Sequence, residues 1–294
     1  MERRKFQKIG AYLLGLLFFL SGVGGCDHPS ESVQEKKVPD RLISLAPNIT
    51  ETVYLLGLGK KLVGNTTACA YPPEARSLPK VGGFGQFNYE AILSLHPDLV
   101  LVHKEYVEEQ RHLHALGLST LETGTFCVDE ILESIRLIGE ACGVPERADR
   151  LIREMKKRIK VARDRAEDAP THSRVLVCFG GEFNDLFMAF GPNCLHGELL
   201  KIAGGKNVVQ GDLPFARLSL EAVIRLNPEI IIELLSTSDQ EGRNWDRLKE
   251  VEAVKNHQIY QICGDYTCIP GPRFIQILED FSRILYMQTT EQAP

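Results

Sequence analysis

The sequence predicts an α/β protein of two Rossmann-like lobes joined by a single long backbone helix, and three observations carry that prediction. Stretches with the pattern of buried strands alternate with amphipathic helical stretches from Arg41 onward. One segment, Pro145 to Asp168, reads as unbroken helix far longer than a crossover between neighbouring strands needs. A segment of the first half, Asn88 to Leu101, recurs in the second half as Ser219 to Ile232 at a constant offset of 131 residues.

The chain opens on a positive stretch containing Arg3, Arg4, Lys5 and Lys8. An apolar run interrupted by glycine, Ile9 to Leu20, follows, and then Ser21-Gly22-Val23-Gly24-Gly25-Cys26. A positive start, a short apolar core and a small-residue cleavage site describe a secretory signal. A transmembrane anchor needs about 20 apolar residues, and this run is shorter and glycine-rich. Cys26, directly after the small residues, resembles the cysteine of a bacterial lipobox. That resemblance implies a thiol acylated at the mature N-terminus, with residues 1–25 as lipoprotein signal peptide. Asp27 resembles the signal that keeps such a lipoprotein in the inner membrane of a Gram-negative cell. Residues 26–39 are polar and charged without apolar periodicity and read as a lipidated flexible tether.

Removing residues 1–25 takes away four basic residues and one acidic one, leaving 30 Lys and Arg against 38 Asp and Glu, a net charge of −8. That balance excludes nucleic acid as a partner, because its binding rests on basic patches that displace counterions. Seven cysteines remain besides Cys26: Cys69, Cys127, Cys142, Cys178, Cys194, Cys263 and Cys268. An odd number leaves at least one thiol free in an oxidising compartment, and no CxxC pair has metal spacing. Cys263 and Cys268 are close enough for a loop disulfide, although spacing alone does not decide pairing.

The N-terminal lobe is expected over residues 40–143. Arg41 to Ala46 reads as a buried strand, Asn48 as a helix cap with Glu51 completing a capping box, and Gly57 and Gly59 as the helix end. Leu99 to Val102 reads as strand, Glu108 to Leu116 as helix, Ser119 to Glu122 as strand and Asp129 to Cys142 as helix. The joining helix is expected within residues 144–169. It opens on Pro145, which helices tolerate at their first position. Its Ala148, Leu151, Ile152, Met155, Ile159 and Ala162 recur at three- and four-residue steps. At 1.5 Å per residue it spans about 35 Å. An ordinary surface helix within one domain is the competing reading, and the restart of a strand at Arg174 to Phe179 favours a link between lobes. The C-terminal lobe is expected over residues 170–290.

Each copy of the repeat reads as a capped short helix, a proline-marked turn and a buried strand. Asn88 and Ser219 are the caps, and Glu90 and Glu221 fall in the first helical turn. A carboxylate there complements the helix dipole, worth about 0.3–1 kcal/mol. Its presence in both copies also puts two carboxylates on equivalent surfaces, where a pseudo-symmetric partner meets both.

The chain resembles the helical-backbone (class III) family of periplasmic binding proteins, which carry cobalamin, ferric siderophores and heme to ABC importers. RLISLAPNITETVYLLGLGKKLVG at 41–64, YPPEARSLPKVGGF at 71–84 and the two EA-x-x-x-L-x-P-[DE] segments carry the resemblance. IAGGKNVV at 202–209 and PGPR at 270–273 add to it. The resemblance covers nearly all of 41–287 and implies a non-enzymatic binding protein without an intrinsic cofactor, held to the membrane by its lipid. Its ligand is a cobalt corrinoid, favoured, or an iron chelate, and its protein partner an ABC permease dimer with its ATPase subunits on the extracytoplasmic face. It further implies that Glu90 and Glu221 dock into arginine-lined pockets of the two permease subunits.

The ligand is expected between the lobes. Tyr71, Phe84 and Phe215 match aromatic positions of the cobalamin-binding members, and Asp265 and Tyr266 match another cleft segment. Phe215 is alternatively core. His103 stands where cobalamin binders tend to place tryptophan: a neutral imidazole there ligates a metal centre in the chelate or contacts it, while a plain surface histidine is the alternative. Cys69 is a further candidate for the cleft edge. Arg273 suits ligand carboxylate or phosphate groups, or else caps a local carbonyl or pairs with Asp265.

Two other classes fit less well. The glycine-rich stretches Val81 to Gly85 and Cys178 to Gly181 give neither GxGxxG nor GxxxxGK[ST], and HExxH and GxSxG are absent. A free zinc or manganese binder needs about three or four close His, Asp or Glu ligands, and the eight histidines here are scattered.

Overall fold

The computed structural model describes residues 37–168, 173–180, 186–236 and 244–291. The signal segment, Cys26 and residues 27–36 of the expected tether lie outside them. The first lobe begins with β1 (Leu42–Ser44), α1 (Pro47–Leu55) and β2 (Leu62–Asn65). A small hairpin of β3 (Gly82–Gly83) and β4 (Gln86–Phe87) leads to α2 (Tyr89–Ser94). Then come β5 (Leu99–His103), α3 (Val107–Ala115), β6 (Thr120–Thr123) and α4 (Val128–Ala141). Its sheet has the order β2-β1-β5-β6, parallel throughout. The backbone helix α5 (Pro145–Asp168) follows.

The second lobe contains β7 (Arg174–Phe179), β8 (Leu186–Phe190), α6 (Leu195–Ile202), β9 (Lys206–Asn207) and β10 (Phe215–Ser219). α7 (Leu220–Leu226), β11 (Ile230–Leu235), α8 (Glu252–Lys255), β12 (Ile259–Cys263) and α9 (Phe274–Glu291) complete it. β7, β11 and β12 are parallel neighbours, β9 lies parallel beside β7, and β8 and β10 run antiparallel. This lobe therefore departs from a purely parallel sheet. Residues 180–185 between β7 and β8 are too few for the dozen or more that a parallel crossover takes.

Period-two alternation distributes the core. Leu42, Val175, Val177, Ile230, Ile232 and Leu234 point into one apolar body that runs from the first lobe through α5 to α9. Ile43, Val100 and Val102 face a separate cluster on the outer side of the first sheet. Leu176, Cys178 and Ile231 do so on the second. On α5, Ala148, Met155, Ile159 and Ala162 are buried. Small residues let α4 and α5 meet closely: a Cβ on Gly139 would stand 2.4 Å from Ala148 Cβ.

Two local expectations change. α1 has Ala46 as its cap without a side-chain bond; Asn48 and Glu51 lie within the helix and are held by the other side chains described below. Cys263 and Cys268 are not joined in a disulfide.

The repeat goes deeper than its motif. Asn88 Oδ1 accepts from Ala91 N at 3.0 Å and Ser219 Oγ from Ala222 N at 3.3 Å. His96 and Asn227, one before each proline, both turn left-handed at φ 44° and 41°. Asp98 Oδ2 accepts from Arg41 N at 2.9 Å, and Glu229 Oε2 from Arg174 N at 3.0 Å. The Arg41 guanidinium donates to the Leu95 and His96 carbonyls, and that of Arg174 to the Asn227 carbonyl. Each lobe thus pins the start of its first strand to the turn after its short capped helix. Asp98→Ala and Glu229→Ala are each expected to cost about 1 kcal/mol. Their effects should add in the double variant because the sites share no partner, as urea unfolding will read.

Candidate functional site

α2 and α7 descend from the strand carboxyl ends, where Asn88 N bonds Val81 O and Ser219 pairs with Leu186, to the strand starts at Arg41 and Arg174. Glu90 and Glu221 are therefore the second residues of equivalent helices, exposed at equivalent edges of the two lobes.

The lobes meet through the β12–α9 connection and α1. A Cβ on Gly271 would lie 2.7 Å from Asn48 Cβ and 3.1 Å from its Cα, so only glycine fits against α1. Two residues on, Arg273 forks across the boundary: Nε donates to Glu51 Oε2 at 2.9 Å and its second terminal nitrogen to Glu51 Oε1 at 2.6 Å. The remaining terminal nitrogen bonds Asp265. Glu51 is 1% exposed and Arg273 8%. Burial lifts the Glu51 carboxyl above its ordinary value even with Arg273 pulling the other way. Burial likewise opposes the charge of Arg273, but Glu51 and Asp265 outweigh it and hold the guanidinium protonated. Tyr71 lays its ring over that guanidinium, 4.0 Å from its carbon, and the Tyr266 ring stands at 5.9 Å. Tyr266 donates its hydroxyl to Asp280 at 2.7 Å, and burial with that bond keeps the phenol well above its usual range.

His103 is buried rather than a surface side chain. Its Nε2 donates to Asn48 Oδ1 at 2.8 Å, which leaves Nδ1 with its lone pair. Burial pushes its pKa down to about 4, so the ring is neutral at neutral pH. It stacks on Tyr106, which in turn makes a T-shaped contact with Phe84 at 6.4 Å between ring centres. Phe84 is 67% exposed. On the second lobe Phe215 is exposed at a sheet edge, with its ring 6.3 Å from Phe179 and 5.6 Å from Phe190. Phe190 covers His196, whose Nε2 donates to Thr267 O at 2.7 Å and whose pKa burial also lowers to about 4.

The structure thus gathers Tyr71, Asp265, Tyr266 and Arg273 into one group. His103 and Phe84 form a second, touching the first through Asn48 and Gly271, and Phe215 lies in a third on the facing lobe. Cys69 is buried, its thiol 3.2 Å from Thr66 Oγ1, and does not edge the cleft. Glu51, Asn48, Tyr106 and His196 escaped the sequence reading. The first two satisfied a local capping pattern that concealed their distant partners. A further interlobe hollow of about 480 Å³ lies between Phe126 and Cys127 of one lobe and Cys194, Glu198 and Asp212 of the other. Val128 N donates to Glu198 Oε2 beside it at 2.8 Å. Among the described residues, no three His, Cys, Asp or Glu side chains are grouped to hold a metal ion, and no helix is long and apolar enough to cross a membrane.

Two α/β lobes on one backbone helix, meeting at an aromatic-lined boundary, define a two-lobed solute-binding protein. A sequence model of the periplasmic binding protein family matches residues 42–266, and the chain belongs to that family. It is 30% identical over 271 residues to YvrC, an ABC transporter substrate-binding lipoprotein of Bacillus subtilis strain 168, across 90% of this chain and 86% of that one. Like that relative, it is a substrate-binding component of an ABC transporter. The periplasmic vitamin B12 binding protein of Vibrio cholerae superposes with a TM-score of 0.75 at 26% identity, over 85% of this chain and 98% of the other. The periplasmic heme-binding protein RhuT of Roseiflexus sp. RS-1 gives 0.72 at 28% identity, over 84% and 98%.

Proposed function

We propose that this chain is the lipid-anchored binding component of an importer, capturing a metal chelate between its lobes, a cobalt corrinoid in first place, and delivering it to a permease dimer. Residues 1–25 act as signal peptide, Cys26 carries the lipid, and Glu90 and Glu221 dock on the two permease subunits. The lobes comprise residues 40–143 and 170–290, with 144–169 between them. Binding without chemistry is the whole mechanism: the lobes hold the chelate, dock and release it.

The observation that supports this reading best is the set of aromatic side chains left exposed at the lobe edges, Tyr71, Phe84, Phe126 and Phe215. Flat rings give large contact area to a macrocycle for little lost rotamer freedom. Tyr266 and Asp265 complete the contact on the second lobe. Arg273, spent on two carboxylates, acts by holding Tyr71 and Asp265 in place. Neutral His103, with a bare Nδ1, is the group suited to a metal centre or to a hydrogen bond from the cargo. A heme or ferric siderophore is the second reading, favoured by the likeness to a heme-binding protein at 28% identity.

The absorbance spectrum of the full chain purified from its native compartment separates these readings, because corrin, heme and ferric catecholate absorb differently. Titration of the stripped protein is expected to show tighter binding of cyanocobalamin than of hemin. Tight hemin binding with none of cyanocobalamin would overturn the corrinoid reading.

A further inference from the structure

The two short capped helices repeat more than a glutamate. Leu93 is 36% exposed and Ile224, at the same offset of 131, is 44% exposed. Each stands three residues after its glutamate, so carboxylate and apolar side chain are neighbours on one helix surface. The inward positions of the repeat need no special account, since Ile92 and Val223 are fully buried and hold each helix to its lobe. Leu93 and Ile224 have no such role, yet both are large and aliphatic. The next exposed position has diverged, with Ser94 in one copy and Arg225 in the other. Single exposed apolar side chains are ordinary on soluble proteins. The same one beside the same carboxylate in two otherwise different lobes calls for a shared cause outside the lobes.

We infer that Leu93 and Ile224 are the apolar halves of two equivalent docking points, each seating in a hydrophobic depression beside the cation that receives Glu90 or Glu221. The inference rests on the docking reading of those glutamates. The partner it specifies is a pair of identical membrane subunits related by a two-fold axis, because the two lobes offer the same charge and an aliphatic group of the same size in the same order. The halves divide the work. The carboxylates steer encounter and make association salt-dependent, while buried aliphatic groups slow dissociation with little salt dependence. Desolvation of the apolar neighbour also shields each ion pair from water, which strengthens it.

The test uses full-length protein, fluorescently labelled, binding to right-side-out membrane vesicles from the source bacterium lacking this gene. Saturable binding competed by unlabelled wild type is measured across a range of salt. Leu93→Ser and Ile224→Ser are each expected to weaken it about tenfold, and the pair about a hundredfold, with the salt slope unchanged. Glu90→Ala with Glu221→Ala should weaken it and flatten the salt slope. Leu93→Met with Ile224→Leu, and Leu55→Ser at an exposed apolar position of α1, should bind as wild type. If the serine pair lowers the melting temperature, Leu93→Gln with Ile224→Gln, which keeps the aliphatic stems, replaces it. Binding of the serine or glutamine pair within twofold of wild type, while the alanine pair fails, overturns the inference and leaves the glutamate docking standing. Wild-type binding by the alanine pair removes the docking reading and the inference with it.

Discussion

Arg273→Ala is expected to cost about 3–5 kcal/mol of folding stability, a large share of the roughly 5–15 kcal/mol that holds a folded protein. The guanidinium is the partner of Glu51, a carboxylate with almost no contact with water, through two parallel hydrogen bonds. Removing it leaves that carboxylate buried and uncompensated, and also takes the cation from beneath the Tyr71 ring. The loss belongs to the broken half of the pair rather than to the pair itself. Glu51→Leu combined with Arg273→Met should therefore recover most of it, since matched apolar groups of similar size escape the desolvation penalty. The pH dependence has a definite sign. Burial already raises Glu51, and loss of Arg273 raises it further. A raised carboxyl contributes stability that is present below its unfolded value and lost as pH rises through its folded value. The deficit of the alanine variant should consequently narrow on acidification. A deficit below about 1 kcal/mol at pH 7 in urea unfolding would show that the contact between lobes is not held by this pair.

Much of the architecture was legible because it rests on local or periodic signals. Pro145 marked the start of α5 and its apolar steps marked the buried face as far as Ala162, and the repeated segment ending in Ile230-Ile231-Ile232 marked the first half of β11. The internal offset made the lobes comparable before either was seen. What escaped was long-range. Arg41 and Arg174 perform one task in the two lobes, but neither falls within the repeated motif, and the backbone carbonyls both of them bond, beside the Glu229 carboxylate that Arg174 also meets, are acceptors that no residue pattern reveals. Asn48 and Glu51 have a spacing that a capping box explains completely, so nothing local pointed to His103 or Arg273. The antiparallel pairing of β8 with β7 was not legible either, because pairing direction depends on the length of a connection and not on strand composition. For the candidate cleft, the aromatic residues were visible as types, and which of them touch was decided by three separate loops.

Two of the clusters at that cleft make the protein acid-sensitive in a predictable window. His103 and His196 are both buried and both neutral, with pKa values pushed from 6.5 to about 4. Between those values the unfolded chain binds protons that the folded chain refuses, so stability rises with pH there, is complete above about 6.5, and is lost as pH falls towards 4. From pH 7 to pH 5 each histidine should remove about 2 kcal/mol, with Glu51 opposing the trend. Urea unfolding at pH 7, 6 and 5 will read the slope. His103→Gln with His196→Gln, which preserves a donor towards Asn48 Oδ1 and Thr267 O, should flatten it, and an unchanged slope in that variant would assign the acid sensitivity elsewhere. The structural consequence is specific to the boundary between the lobes. Protonation leaves the Nε2 bond of His103 to Asn48 intact but adds an N–H at Nδ1, which has no acceptor among the described residues. Charging a ring this enclosed costs the desolvation that already holds its pKa down, and the ring can escape that cost by turning out towards water. Turning out breaks its bond to Asn48, the residue against which Gly271 of the other lobe packs. Acid should therefore loosen the interlobe contact before it melts either sheet.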